Sequence, residues 1–208
     1  MCTNATLSLL ILQLKNNFGL TNDEEDIISR FHCSGYERTI ECFVKSNCKY
    51  FREEDGINPF NSVMYCNLLY QISHILYKQG FNILADKVYY LNKMMNCIDL
   101  FYAIELPVHW NCEHPIGSVM GRAKYGDYFF FYQGCTVGGN HTAYPILGDN
   151  LTMYSNSKIL GKCVIGNNVV IGANTYIKDT DIPDNSMVFG QYPNIIIKQN
   201  KNIDKFWK

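Results

Sequence analysis

The sequence predicts an α + β-solenoid chain: a helical N-terminal domain followed by a coil of short strands. Three observations carry that expectation. First, an aliphatic residue recurs at every sixth position from Leu147 through Met153, Ile159, Ile165 and Ile171 to Ile177. Second, a compact or apolar companion follows four residues after each of the first five: Leu151, Ser157, Cys163, Val169 and Thr175. Third, eleven of the fifteen glycines lie between Gly117 and Gly190, so composition divides the chain near residue 105. A period of six fits neither the 3.6 of a helix nor the 2 of a plain strand. It fits a solenoid whose six-residue units each form one side of a coil, with aliphatic residues stacked inward. Gly, Asn and Asp fall between the units, where tight turns need positive φ.

The N-terminal part reads as helices. Leu7 to Phe18 is an apolar-faced segment ended by Gly19, and its apolar run Leu7 to Leu12 is short and lacks a basic region before it, so it reads as a helix face rather than a signal peptide. Thr21-Asn22-Asp23-Glu24 has the form of a capping box. Ser34-Gly35-Tyr36-Glu37 is expected to open a further helix toward Cys48, and Asn58-Pro59 breaks the pattern. Apolar residues return at helical spacing through Leu68, Leu69, Ile72, Ile75 and Leu76 up to Gly80, then through Leu84, Val88, Leu91, Met95 and Ile98. Both stripes read as helix–helix core.

After Pro107 the sixfold rhythm starts loosely, with Tyr125, Phe131 and Val137 in phase and one residue missing near Met120. From Val137 to Leu147 the step is ten, so about four extra residues lie within Gly138–Pro145 and form a loop on a rigid scaffold. Asp181–Ser186 is expected to close the coil. The domains are thus drawn as 1–104 helical, 105–197 coil and 198–208 a polar tail.

The 208 residues are 47% hydrophobic and 18% charged, with a net charge of −1. That balance argues against nucleic acid or an acidic membrane surface as partner, and no apolar run reaches the length of a membrane span. Nine scattered cysteines without a CxxC pair predict reduced, mostly buried thiols and a cytoplasmic protein.

Candidate chemistry gathers in the early coil and its loop. His114 lies in Cys112-Glu113-His114-Pro115, and imidazole is suited to taking a proton from a hydroxyl near neutral pH. Such a base needs a carboxylate on its other ring nitrogen, which Glu105 or Glu113 could supply. Gly138-Gly139 allows close approach of backbone N–H groups to a ligand. The competing readings are a histidine with a purely structural role and a zinc site. His109, Cys112 and His114 are close in sequence but lack a four-ligand spacing, so no metal is expected.

The order Ile104-Glu105-Leu106-Pro107, Glu113-His114-Pro115, Cys135-Thr136-Val137-Gly138-Gly139, a loop ending in Tyr144-Pro145 and then unbroken repeats resembles the serine acetyltransferases, a branch of the left-handed β-helix (hexapeptide-repeat) acyltransferases. The run Ile72–Ala85 resembles the helix pair before their coil, and the likeness covers residues 60 to 197. The resemblance implies a left-handed parallel β-helix. It also implies acetyl-CoA as co-substrate and direct O-acetyl transfer in a cleft between subunits of a homotrimer or dimer of trimers. His114 matches the general base and Glu105 falls near the aspartate that orients it. Glu113 matches an acidic acceptor contact. Gly138 and Gly139 border the thioester, and Ser155, Gly161 and Ala173 lie along the pantetheine path. Lys178 and Lys198 are assigned to the CoA phosphates from charge.

The family's loop carries an Arg-His pair before its proline, where this chain has Ala143 and Tyr144. A bidentate carboxylate contact is thereby lost, leaving His141 and Tyr144 as the candidate acceptor contacts in the loop. The chain ends in Phe206-Trp207-Lys208, without the terminal isoleucine that docks into cysteine synthase, so that complex is not expected. Acetylation of a sugar hydroxyl on a surface polysaccharide or its precursor is the alternative. A zinc-dependent carbonic anhydrase-like protein using His109, His114 and His141 is the remote one.

Overall fold

The computed structural model describes residues 4–201. Four helices, α1 (Asn4–Phe18), α2 (Asn22–Lys45), α3 (Ser62–Lys78) and α4 (Asn82–Asn96), precede a parallel β-solenoid. This is the predicted helical domain followed by a left-handed β-helix. None of these helices is long and apolar enough to cross a membrane.

The capping box forms at the start of α2. Glu24 N–H donates to Thr21 Oγ1 at 3.2 Å, and Thr21 N–H donates to Glu24 Oε2 at 2.9 Å. The helix expected to open at Ser34 does not start there, because α2 runs unbroken past it. Gly35 instead marks a helix crossing: a Cβ at that position would sit 2.5 Å from Ile72 Cγ1 of α3. Asn61 caps α3, its Oδ1 accepting from Val63 N–H at 3.0 Å. Cys97, at φ 51°, ends α4 in the left-handed region.

The coil has three faces. One stacks β1 (Asp99–Leu100), β3 (Val119–Met120), β5 (Thr136–Gly138), β8 (Lys158–Leu160) and β11 (Tyr176–Lys178). The second stacks β2 (Trp110–Cys112), β4 (Phe129–Phe131), β7 (Leu151–Met153), β10 (Val169–Ile171) and β12 (Ser186–Gln191). The third holds β6 (Ile146–Leu147) and β9 (Val164–Ile165), extended by bridges to Lys124 and Ile182. All rungs within a face are parallel. The first rung is already Asp99–Leu100, ahead of the composition shift near residue 105.

All six aliphatic positions of the repeat are buried, Leu147 at 2% exposure being the most open. The companions Leu151, Ser157, Cys163, Val169 and Thr175 are buried with them. Each such aliphatic side chain contributes about 1.5–3 kcal/mol on burial. At the coil's other end, Asp181–Ser186 does not close the fold. The chain makes a further rung, β12, and β13 (Asn194–Gln199) folds back antiparallel on it. Residues 198–200, drawn as the start of a polar tail, therefore belong to this hairpin and its anchor, with Asn200 Nδ2 donating to Asn168 O at 3.1 Å. Phe206-Trp207-Lys208 lies outside the described residues.

One apolar core joins helices and coil. Tyr70 OH donates to Ile104 O at 2.9 Å and Cys42 Sγ to Trp110 O at 3.0 Å, so α2 and α3 are seated on the first coil turn. The eight described cysteines are free thiols. Burial pushes the Cys42 thiol up to about 12. A hydrogen bond with Cys66 and burial push Cys112 well above the ordinary thiol range. Burial likewise raises Cys135. Neither Cys112 nor Cys135 is poised as a thiolate.

Candidate functional site

His114 stands on an irregular corner of the coil. Between β4 and β5 the corner takes four residues, 132–135, and the corners above it, 154–157 and 172–175, take four as well. Between β2 and β3 it takes six, 113–118. The register shows where the surplus sits. Glu113 N–H donates to Phe131 O at 3.0 Å, just as Tyr132 N–H donates to Met153 O at 2.9 Å, so Glu113 stacks beneath Tyr132. Gly134 N–H donates to Ile116 O at 3.0 Å and Asn156 N–H to Gln133 O at 2.9 Å, so Ile116 stacks beneath Gln133. His114 and Pro115 are left over and bulge from the corner. His114 takes φ 50° there, a region in which His is enriched over most non-glycine residues, and its side chain is 71% exposed.

The neighbouring carboxylate is Glu113, with Oε1 at 3.7 Å from His114 Nε2. Its side chain is only 14% exposed, and Oε1 accepts from Lys49 Nζ at 2.5 Å and Tyr50 OH at 2.8 Å. Burial pushes this carboxyl up, but the Lys49 and Tyr50 hydrogen bonds and the Lys49 charge outweigh it and hold Glu113 below the usual carboxylate range. Tyr50 and Tyr132 are both raised, first by burial and then through Glu113. These groups edge a cavity of about 180 Å³ between the loop after α2 and the coil, lined also by Ser46, Asn47, Asn111 and Phe130. On the same corner, Gln133 Oε1 is buried without a hydrogen-bond donor among the described residues.

Glu105 is not the carboxylate of the His114 ring. It is 65% exposed and engaged elsewhere: Lys78 Nζ donates to it and His74 Nε2 lies 3.4 Å away. Pro107 and the strand that follows separate it from the bulge. The rung tied to the bulge is β1, where Gly117 N–H donates to Cys97 O at 2.8 Å and Asp99 N–H to Ser118 O at 2.9 Å. The carboxylate on that rung is Asp99, which accepts from Tyr89 OH at 2.6 Å and Lys93 Nζ at 2.9 Å.

The remaining candidates divide between corners. Ser155 and Ala173 follow Gln133 up the His114 corner. Gly138, Leu160 and Lys178 share one register at the far end of the same face. Gly161 N–H donates there to Gly138 O at 3.0 Å. Gly139 begins the inserted loop, and a Cβ on it would meet Tyr144 Cε1 at 2.6 Å, so glycine is what lets the Tyr144 ring fold over. A Cβ on Gly138 would meet only Leu160 Cδ2 at an ordinary 3.5 Å. His141, φ 55°, lies exposed at the tip of a tight turn in which Asn140 and Ala143 exchange backbone hydrogen bonds. Lys198 lies apart from Lys178, on β13 with Nζ 5.8 Å from the Phe189 ring centroid.

The three coil histidines occupy three different corners. His109 Nδ1 is 2.5 Å from Asp127 Oδ2 and its ring stacks on Tyr128 at 4.5 Å, which ties it to the next rung. Among the described residues no three metal-ligating side chains converge.

Sequence reasoning missed Lys49, Tyr50 and Tyr132. Lys49 meets Glu113 across 64 positions of sequence, a separation no local pattern reveals. Tyr132 was within reach: aligning the four-residue corners on the repeat places it over Glu113.

Residues 144–179 match the family described as bacterial transferase hexapeptide (six repeats). The serine acetyltransferase of Synechococcus elongatus is 28% identical over 140 residues, 65% of this chain and 57% of that protein. That of Staphylococcus xylosus is 31% identical over 134 residues, 62% of this chain and 61% of the relative. The chain thus matches less than two thirds of the length of these relatives. A serine acetyltransferase structure in complex with CoA superposes with a TM-score of 0.71 at 18% identity, covering 93% of this chain and 83% of that one. At that identity the superposition shows a common fold.

Proposed function

We propose, from the premise that this chain is a serine acetyltransferase-like β-helix protein, that it transfers an acetyl group from acetyl-CoA to an acceptor hydroxyl. The observation that carries the reading is the bulge that lifts His114 out of the coil beside a charge-balanced carboxylate and a small cavity. The imidazole accepts the hydroxyl proton, and the acceptor oxygen attacks the thioester carbon. Backbone N–H groups near Gly138 and Gly139 support the oxyanion that develops. The C–S bond then breaks, and the proton held by His114 passes to the CoA thiolate. No acyl-enzyme is required, in keeping with the buried, proton-retaining Cys112 and Cys135. Asp99, whose backbone N–H donates to Ser118 O at the end of the His114 corner, takes the positioning role in place of Glu105.

His114 and the Gly138–Gly139 segment stand at opposite ends of one face of a single chain, so they meet around one substrate only when two copies lie side by side. A homotrimer satisfies this. Ser155 and Ala173 would then flank the groove on the His114 copy, with Gly161 and Lys178 on the neighbour. Lys178, at the glycine edge, is the better-placed cation for CoA phosphate, and Lys198 is not assigned that role.

Complementation tests this arrangement. His114→Ala and Gly138→Val chains should each be inactive in acetyl-CoA-dependent thiol release. Co-expressed in one assembly, they should regain part of the activity. A mixture as inactive as its parents would sink the shared groove.

A further inference from the structure

The cavity beside His114 differs in chemistry from a site for a free amino acid. Glu113 is its only carboxylate, and Oε1 already carries Lys49 Nζ at 2.5 Å and Tyr50 OH at 2.8 Å. Tyr132 is a further hydrogen-bond partner of this carboxylate. An ammonium brought to it would be a second cation beside Lys49, with no second negative charge in the lining to balance it. A neutral hydroxyl meets no such repulsion.

The rest of the lining points the same way. Asn47 brings a side-chain amide, while Asn111 and Ser46 are neutral groups held by each other, Asn111 Nδ2 donating to Ser46 Oγ at 3.5 Å and Asn111 Oδ1 accepting from Cys112 N–H at 2.8 Å, so none of them adds a charge for an amino acid. Opposite them stand the rings of Phe130 and Tyr132, which meet edge to face at 5.1 Å. Tyr132 stacks in turn on Tyr154 at 5.1 Å and 8° between planes, which continues the aromatic wall up the corner. The C–H-bearing side of a pyranose is apolar and slightly positive, complementary to the negative face of an aromatic ring. About 180 Å³ lies below the roughly 300–1,000 Å³ of pockets for drug-sized ligands, which suits one ring rather than a chain of them.

We infer that this cavity is the acceptor subsite for a single uncharged sugar ring, and that Lys49 and Tyr50 select against amino-acid acceptors by occupying Glu113. The inference rests on the acetyl-transfer reading and names its acceptor class. Lys49 and Tyr50 act on specificity; neither touches the reacting atoms.

Binding and transfer are tested separately. Saturation-transfer NMR on the His114→Ala protein, with methyl glucoside, galactoside and mannoside as probes and L-serine as comparison, should show binding of at least one pyranoside. Tyr132→Ala in the same background should abolish it. Thiol release by the unmodified protein with acetyl-CoA should then rise with that pyranoside and not with L-serine. Lys49→Met should move the pyranoside-to-serine ratio of kcat/KM toward serine by about tenfold or more. Absence of pyranoside binding, preference of the unmodified protein for L-serine, or a ratio unmoved by Lys49→Met overturns the inference. Tyr132-dependent binding without any thiol release supports the subsite and overturns the transfer reading instead.

Discussion

Two corners of the same coil do opposite things with similar materials. At the corner leading into the second face, the turns repeat without variation. Asp149, Asn167 and Asp184 each accept, through Oδ1, the backbone N–H of Asp127, Asp149 and Asn167 at 2.7–2.8 Å. Beside them, Asn150 donates to Asn168 at 2.8 Å and Asn168 to Asn185 at 3.0 Å, all three at positive φ. These side-chain bonds run from each rung to the one next to it. At the His114 corner two surplus residues break the stack, leaving the His114 side chain 71% exposed next to the Glu113 carboxylate. Regularity holds the coil together, and the lapse in it frees side chains for chemistry.

Several substitutions would break or sharpen that contrast, the largest effect first. His114→Ala should lower the transfer rate by about 10²–10⁴, equivalent to roughly 3–5 kcal/mol of barrier, with an unchanged melting temperature. Excising His114 and Pro115 together, which restores a four-residue corner, should abolish transfer while circular dichroism and the oligomeric state stay unchanged. Loss of folding on excision would mean that the bulge is itself structural. Ile165→Ala, inside the regular stack, should do the reverse: a loss of about 3 kcal/mol in urea unfolding. Any activity change should follow only the folded fraction. Asn168→Ala should cost about 2 kcal/mol, from the left-handed backbone and two side-chain hydrogen bonds together.

The helical layer supplies a pH-dependent counterpart. Burial lowers His32 to about 4, so the native state keeps it neutral while the unfolded chain protonates it below about 6.5. The unfolded state therefore binds more protons between pH 6.5 and 4, and stability falls through that window as pH drops. The slope from this residue is about 1.4 kcal/mol per pH unit. Denaturant midpoints at pH 7, 6 and 5 should show it, and His32→Gln should flatten the difference; parallel profiles for the two proteins would contradict it.

The coil was legible because its repeat is written in side chains that all face one way. Leu147 through Ile177 announce six buried positions without reference to any distant residue. The four-residue insertion after Val137 was equally plain as a break in phase. Ser34-Gly35 misled because its turn-like composition serves a different need, the close passage of α2 over Ile72. Glu105 misled for a related reason. It falls near the family's orienting aspartate along the chain, at a shorter spacing to His114, whereas Lys78 and His74 claim it in space.

The sequence alone determined a helical layer, a sixfold coil and its interruption. All of these follow from periodicity, composition and side-chain chemistry that act over a few residues. Only the folded chain decided that His114 stands on a bulge, that Lys49 and Tyr50 hold Glu113, and that the glycine edge belongs to the opposite corner. Those facts depend on which distant rungs and loops come to rest against one another. Burial and charge pairing settle that arrangement over the whole chain, and no local pattern encodes it.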